Sequence, residues 1–366
     1  MPDLATALLP AVRHYLDHLP RVLDRPIRLQ FLAQGEYNLN YLATAGDRQV
    51  VVRLNTGSQE VAAGAQQILY EAAALRLVAP TGIAPRLLHV DAHPEGIPHG
   101  LLVEEYLPGR PLEYGDPADL RRAAGALARL HAFRSPDAAA TLLVIDRPLS
   151  AYLAFGRDMV AHYRSAPGTD PTVLCLLATV EQFLERAVPL EVSAYPLEER
   201  GIVHTDVQAH NFIIAPGETA AGEQSRGAAA PGTPGARLVD WEKPMVDDPT
   251  YDLCHFLAPT TTRWKCGVTL DGPAQGLFLE AYVAARAGAG IPVTGGLQGL
   301  ERRRRLRQPF VHWRAITWCA MAWVEYARPD RPLRNEDTRA RIDEYLQADF
   351  LEGLFAPALD GTAWRG

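Results

Sequence analysis

Apolar and polar residues alternate along Arg28-Leu29-Gln30-Phe31-Leu32 and again from Gly35 to Ala43, then give way to the β-branched run Val50-Val51-Val52-Arg53-Leu54. Alternation at every second position, with Val, Phe and Tyr enriched, predicts strands. From about Gln59 to Val78 the apolar spacing widens to that of a helix. Another apolar strand, Gly100-Leu101-Leu102-Val103-Glu104-Glu105, runs into the break at Pro108-Gly109. Beyond it, Leu120 to His131 and Thr172 to Ala187 carry helical patterns, and strand-like runs shrink to Ile202-Val203, Phe212-Ile213-Ile214 and Ala236 to Val239. The pattern predicts an α+β chain with strands and one long helix in residues 1–107, a mainly helical remainder in 108–366, and a boundary near Leu107. Residues 216–235 are rich in Ala, Gly and Pro, and read as a flexible insert between two strands.

The polar residues between the short strands carry the chemistry. Gly201-Ile202-Val203-His204-Thr205-Asp206-Val207-Gln208-Ala209-His210-Asn211 sets His-x-Asp-x-x-x-x-Asn on a connection between two apolar runs. An aspartate so placed accepts the proton of a substrate hydroxyl, and an asparagine five residues on turns its amide oxygen to a magnesium ion, as in the catalytic loops of kinases. Asp240, in Leu238-Val239-Asp240-Trp241-Glu242, offers a second carboxylate at a strand end, where a second metal ligand is needed. His204 is read as a brace for the loop through backbone hydrogen bonds.

On these residues the chain resembles the aminoglycoside phosphotransferase and choline kinase-like family, from about Gln34 to about Tyr326. The resemblance implies a protein kinase-like bilobal fold: a small antiparallel-sheet N-terminal lobe with one long helix, and a larger, mainly helical C-terminal lobe. It also implies a Mg2+-dependent kinase that moves the γ-phosphoryl group of ATP or GTP to a hydroxyl of a small molecule. Asp206 is then the base, and Asn211 and Asp240 hold the metal. Asp252, in Asp248-Pro249-Thr250-Tyr251-Asp252-Leu253, holds the loop through its backbone amides, with His204 in support. Gly35 and Asn38 match a Gly-x-x-Asn phosphate-covering loop, Arg53 takes nucleotide phosphates, and Glu71 is its acidic partner. The carbonyl of Glu105 and the amide of Leu107 read the base. Gln208 replaces the usual protein-kinase lysine, and only twelve residues separate Asp240 from Asp252, which leaves no room for an activation segment. A catalytically silent nucleotide-binding or regulatory module is the alternative reading.

Composition narrows the partners. A formal net charge of −7 leaves no footprint for nucleic acid. No run of apolar residues reaches membrane-spanning length and the N-terminus lacks a secretory pattern, so a cytoplasmic protein without membrane contact is expected. Cys175, Cys254, Cys266 and Cys319 lack metal or redox spacing and read as buried free thiols. The basic run Arg302-Arg303-Arg304-Arg305-Leu306-Arg307 reads as the solvated start of a helix or a preceding turn. Trp313, Trp318 and Trp323 recur at five-residue spacing, which scatters them round a helix, so core packing is expected for at least two of them. Acidic and basic residues are near balance in 108–200 and after Glu301, which disfavours a polycationic acceptor.

Overall fold

In the N-terminal part of the chain, period-two alternation becomes an antiparallel sheet of order β1-β2-β3-β5-β4, formed by Arg28–Gln34, Asn38–Ala45, Arg48–Asn55, Leu87–Asp91 (β4) and Gly100–Glu105 (β5). The computed structural model describes residues 4–19, 22–23, 26–57, 65–216, 235–328 and 335–361. The chain packs as two compact units. The first comprises Met1–Pro111, Ser135–Leu143 and Asn211–Pro244; the second comprises Leu112–Arg134, Val144–His210 and Met245–Gly366. The expected α+β architecture is what the chain adopts.

In the first unit, β3 is central and buries Val50, Val52, Arg53, Leu54 and Asn55. Helix α2 (Ala65–Val78) lays Ile68, Glu71, Ala72, Leu75 and Val78, spaced three and four apart, in the interior. Gly100 lets it approach β5, because a Cβ there would stand 2.7 Å from the Ile68 side chain. A second helix, α1 (Leu4–Asp17), stands in residues 1–107, where the sequence pattern predicts only one. It buries Ala5, Leu8, Val12 and Leu16, and Tyr41 donates to its Ala5 carbonyl at 2.8 Å. Pro10 lies inside α1 and reads in sequence as a breaker. Phe212–Ile214 pairs with Ala236–Leu238 and with Arg110–Pro111 (β6). The insert expected at 216–235 lies almost wholly outside the described residues, as does the start of the helix expected from Gln59.

The second unit is built of helices. Pro117–Ala132 (α3) begins at an Asp116 cap that accepts from the Ala118 amide at 2.8 Å. Pro148–Ser165 packs on the 31-residue helix Gly296–Tyr326. Gly156 makes that approach possible: a Cβ there would lie 1.9 Å from Trp313 Nε1. Strand Gly201–Val203 pairs antiparallel with Met245–Asp247, and helix Thr250–Leu257 follows.

Three expectations change. The basic run lies within helix 296–326, and Arg303 and Arg307 are buried while Arg302 and Arg305 face solvent. Residues four apart share a face, so the two arginines on the core side are drawn in by carboxylates. Arg307 pairs with buried Asp247 and lies over the rings of Tyr152, Tyr195 and Tyr251. Of the three tryptophans only Trp313 is fully buried; Trp318 meets Trp264 edge-on and Trp323 meets Tyr163, both at half-buried positions. Cys254 and Cys319 are buried, whereas Cys175 is exposed and Cys266 is intermediate. Among the described residues no helix is long and apolar enough to cross a membrane.

Candidate active site

Arg53 points from β3 into a group of carboxylates. Its Nε lies 3.0 Å from Glu71 on α2, and its Nη2 pairs with Asp240 and lies 3.5 Å from Glu242. Burial works against the charge of this guanidinium, and Asp240, Glu71, Glu242 and Glu104 outweigh it, raising its pKa. Burial, against the pull of Arg53, pushes the Glu71 carboxyl up. Glu71 Oε2 is buried without a hydrogen bond, and one guanidinium does not offset every carboxylate around it. Arg53 and Glu71, paired from sequence, therefore meet.

The Gly35 turn closes through its amide to the Asn38 carbonyl at 2.9 Å. The Asn38 side chain is turned inward: it accepts from Asn55 at 3.1 Å and donates to Glu242 at 2.6 Å. Glu242 also takes Lys243 at 2.9 Å, and its carbonyl accepts from Gln67 at 2.6 Å. Burial raises the Glu242 carboxyl, but Lys243, Arg53 and Asn38 together hold it below the usual range. The sequence motif gives Glu242 no role of its own. Its signal was its place two residues after Asp240.

Asn211 and Asp240 come together at the ends of the paired strands 212–214 and 236–238, where the Val239 amide donates to the Asn211 carbonyl at 2.9 Å. Buried Trp241 anchors the turn after Asp240 by donating to Leu238 O at 2.8 Å. An amide and a carboxylate oxygen are hard donors that suit magnesium, which takes one or two protein ligands and completes its shell with phosphate and water. Among the described residues no three His, Cys, Asp or Glu side chains form a metal cage, and that division of ligands needs none. Glu105, at the end of β5, binds Arg237 through both oxygens at 3.1 and 2.9 Å; its amide donates to Arg86 O, and Leu107 follows, buried.

In the second unit the loop before Asn211 is tied from beneath. Asp252 accepts from the amides of His204 at 2.7 Å and Thr205 at 2.8 Å. Its Oδ2 also meets His131 Nε2 at 3.1 Å; His131 Nδ1 meets the Tyr282 hydroxyl at 3.0 Å, and that hydroxyl accepts from Arg286 at 2.9 Å. Burial lowers the His131 pKa, consistent with a neutral ring that donates to Asp252 and accepts from Tyr282. The Asp252 carboxyl is raised by burial and lowered more by His131, His204 and their hydrogen bonds. His204 is fully buried, and its Nδ1 accepts from the Asp206 amide at 3.3 Å. Asp206 stays accessible, with its side chain 37% exposed, and Gln208 donates to its Oδ2 at 3.3 Å. His131 and Tyr282 were missed in sequence; a histidine on the apolar face of α3 was the signal available for the first.

Among the described residues, two non-glycine positions have left-handed backbone, Thr205 at φ 72° and Asp240 at φ 68°. Such conformations cost about 1–3 kcal/mol and persist where neighbouring contacts impose them, commonly at functional sites. One lies beside Asp206 and the other is the second motif's aspartate.

The chain matches the phosphotransferase enzyme family over residues 28–224, a span that includes Arg53, Glu71, Asp206 and Asn211 and stops short of Asp240. No curated protein matches it. Among solved structures, an ethanolamine kinase of Plasmodium vivax superposes with a TM-score of 0.62 at 13% identity, covering 88% of this chain and 82% of its own. A choline kinase of Cryptosporidium parvum Iowa II gives 0.60 at 14% identity, with 97% of each chain covered. A spectinomycin phosphotransferase in complex with ADP and spectinomycin gives 0.57 at 13% identity, covering 98% of this chain and all of its own. These likenesses are of fold. With more than half of its residues matched in sequence, and with the kinase-like phosphotransferase fold around them, the chain belongs to the phosphotransferase enzyme family.

Proposed function

We propose that the protein transfers the γ-phosphoryl group of ATP or GTP to a hydroxyl of a small molecule in a Mg2+-dependent reaction. The observation that carries this reading is the left-handed backbone at Thr205 and Asp240, strain at the two places where the motifs call for a base and a metal ligand. Asp206 takes the proton of the acceptor hydroxyl as its oxygen attacks the γ-phosphorus, and the electron pair of the broken P–O bond leaves with the nucleoside diphosphate. Asp252 and His204 keep the loop in register for that step. Asn211 and Asp240 hold the magnesium ion, which when bound neutralises charge on the phosphate oxygens. Arg53, steadied by Glu71, binds the phosphates under the Gly35–Asn38 turn, and the backbone of Glu105 and Leu107 reads the base. The near balance of charge around the acceptor side favours a neutral or singly charged alcohol over an aminoglycoside.

The test is a set of three proteins assayed with Mg-ATP and Mg-GTP, without acceptor and with a panel of amino alcohols, sugars and antibiotics. Asp206→Asn is expected to keep nucleotide affinity and lose roughly 10²–10⁴ in turnover. Asp240→Ala is expected to abolish transfer and to weaken Mg2+-dependent nucleotide binding. Equal loss of nucleotide binding in both variants rejects this division of roles. A wild-type protein that binds nucleotide but turns over none of it points to a silent binding module.

A further inference from the structure

Building on the reading of Asp206 as the base, we propose that His255 is a second contact for the acceptor, donating a hydrogen bond from Nε2 to the oxygen whose proton Asp206 accepts. Helix 250–257 anchors the loop through Asp252 and, one turn later on the same face, presents His255 to the carboxylate that the loop carries. His255 Nε2 stands 3.9 Å from Asp206 Oδ1, with the two side chains 17% and 37% exposed. That gap is too wide for a direct hydrogen bond, yet one oxygen atom fits within about 2.8 Å of both groups. The other carboxylate oxygen receives Gln208.

The ring is held neutral and in place. Nδ1 is buried without a hydrogen-bond partner, so protonation would bury an unpaired N–H. The charged and titratable groups facing the ring are Asp206, Asp252, Arg314 and His204; burial, with Arg314 and His204, lowers its pKa against the two carboxylates. Tyr251 stacks on it at 24° with centroids 6.1 Å apart, and the Tyr251 hydroxyl accepts from Arg314.

An occupant of this gap has to give a proton to a carboxylate and receive one from an imidazole N–H. A hydroxyl does both. An ammonium group has no lone pair for His255, and an ether has no proton for Asp206. The pair therefore selects alcohols, and water when no alcohol is present. In the transfer the acceptor O–H bond breaks with its proton going to Asp206, the O–P bond forms, and the P–O bond to the leaving diphosphate breaks with its electron pair. His255 keeps its own proton throughout.

Water makes the same two hydrogen bonds, so acceptor-free Mg-ATP hydrolysis reads the contact directly. His255→Leu is expected to lower its rate by roughly 10- to 100-fold, the value of a well-placed hydrogen bond, with the KM for ATP unchanged. His255→Gln, which keeps an N–H donor, is expected to recover most of the rate. Where His255→Leu melts below the wild type, His255→Phe retains the ring stacked on Tyr251 and takes its place against His255→Gln. A second arm offers ethanolamine beside ethylenediamine, with product expected only at the hydroxyl. Wild-type hydrolysis in the variants lacking the donor overturns the proposal, as does a phosphoramidate formed from ethylenediamine. Hydrolysis that Asp206→Asn leaves untouched, or no hydrolysis in the wild type, rejects instead the reading of Asp206 beneath it.

Discussion

Glu104 is buried on β5 beside Glu105, where Arg53 is the cation that pulls its carboxyl down and Asp240 a second anion that pushes it up. Burial is the largest influence, and the carboxyl is raised from an ordinary 4.5 to about 7. A folded-state pKa above the unfolded one means that the folded protein holds this proton more tightly. Its contribution to stability is therefore full below pH ~4.5 and is lost as the pH rises through ~7. Without nucleotide or metal, Glu104→Gln is expected to match the wild type near pH 4.5 and to exceed it at pH 8 by up to about 3 kcal/mol, measured by urea unfolding at both pH values. A wild-type stability that rises between these values relative to the variant would reverse the assignment. Sequence made the identity of this residue plain but not its burden, because alternation along β5 shows which face a side chain takes and not which charges it meets there.

Helix 296–326 shows how an element redistributes a run of like charges. Five arginines within six residues read as solvated, yet a 3.6-residue period sends Arg303 and Arg307 inward together, and Arg307 meets Asp247. Burial pushes Asp247 up to about 6 even with Arg307 drawing it down. Arg307→Met leaves that carboxyl buried and unpaired, a loss expected to cost about 3–5 kcal/mol in chemical unfolding. Arg305, 56% exposed and 4.0 Å from Glu301, should change stability by less than about 0.5 kcal/mol when replaced by Ala. Similar costs at the two positions would return the run to the surface. Period alone cannot say which arc of a helix faces inward when five of six residues are arginine; Asp247 beside Arg307, and Glu199 and Asp248 beside Arg303, make that choice.

Across the molecule, Arg53, Glu71, Asn211 and Asp240 fall in one compact unit and Asp206 and Asp252 in the other, although Asp206 and Asn211 are five residues apart in sequence. Mg-nucleotide binding to groups of the first unit is expected to raise the melting temperature by mass action. At one hundred times Kd the gain is about 2.7 kcal/mol, which corresponds to a shift of roughly a few degrees. Leu107→Pro removes the amide assigned to base recognition and should lose the shift. Leu107→Ala gives up more of the buried Leu107 side chain but keeps the amide, and should retain it. A full shift in the proline variant with both ATP and GTP would place base recognition elsewhere.

Residue identities, their spacing and the family resemblance they carry were enough to single out Asp206, Asn211, Asp240, Arg53, Glu71 and Asp252 as candidates, because phosphoryl transfer demands particular atoms at short intervals in the chain. They were also enough for the strands around β3 and for the helix ending at Val78, since periodicity is local, but not for α1, whose Pro10 interrupts the pattern. The partners that hold these groups were decided only by tertiary structure. Arg53 and Asp240 meet across 187 residues and His131 and Asp252 across 121. Asn38 turns to Glu242, and His255 faces Asp206, for the same reason. A buried polar group takes the nearest complementary atom that packing brings to it, and nothing in the linear spacing records which one that is.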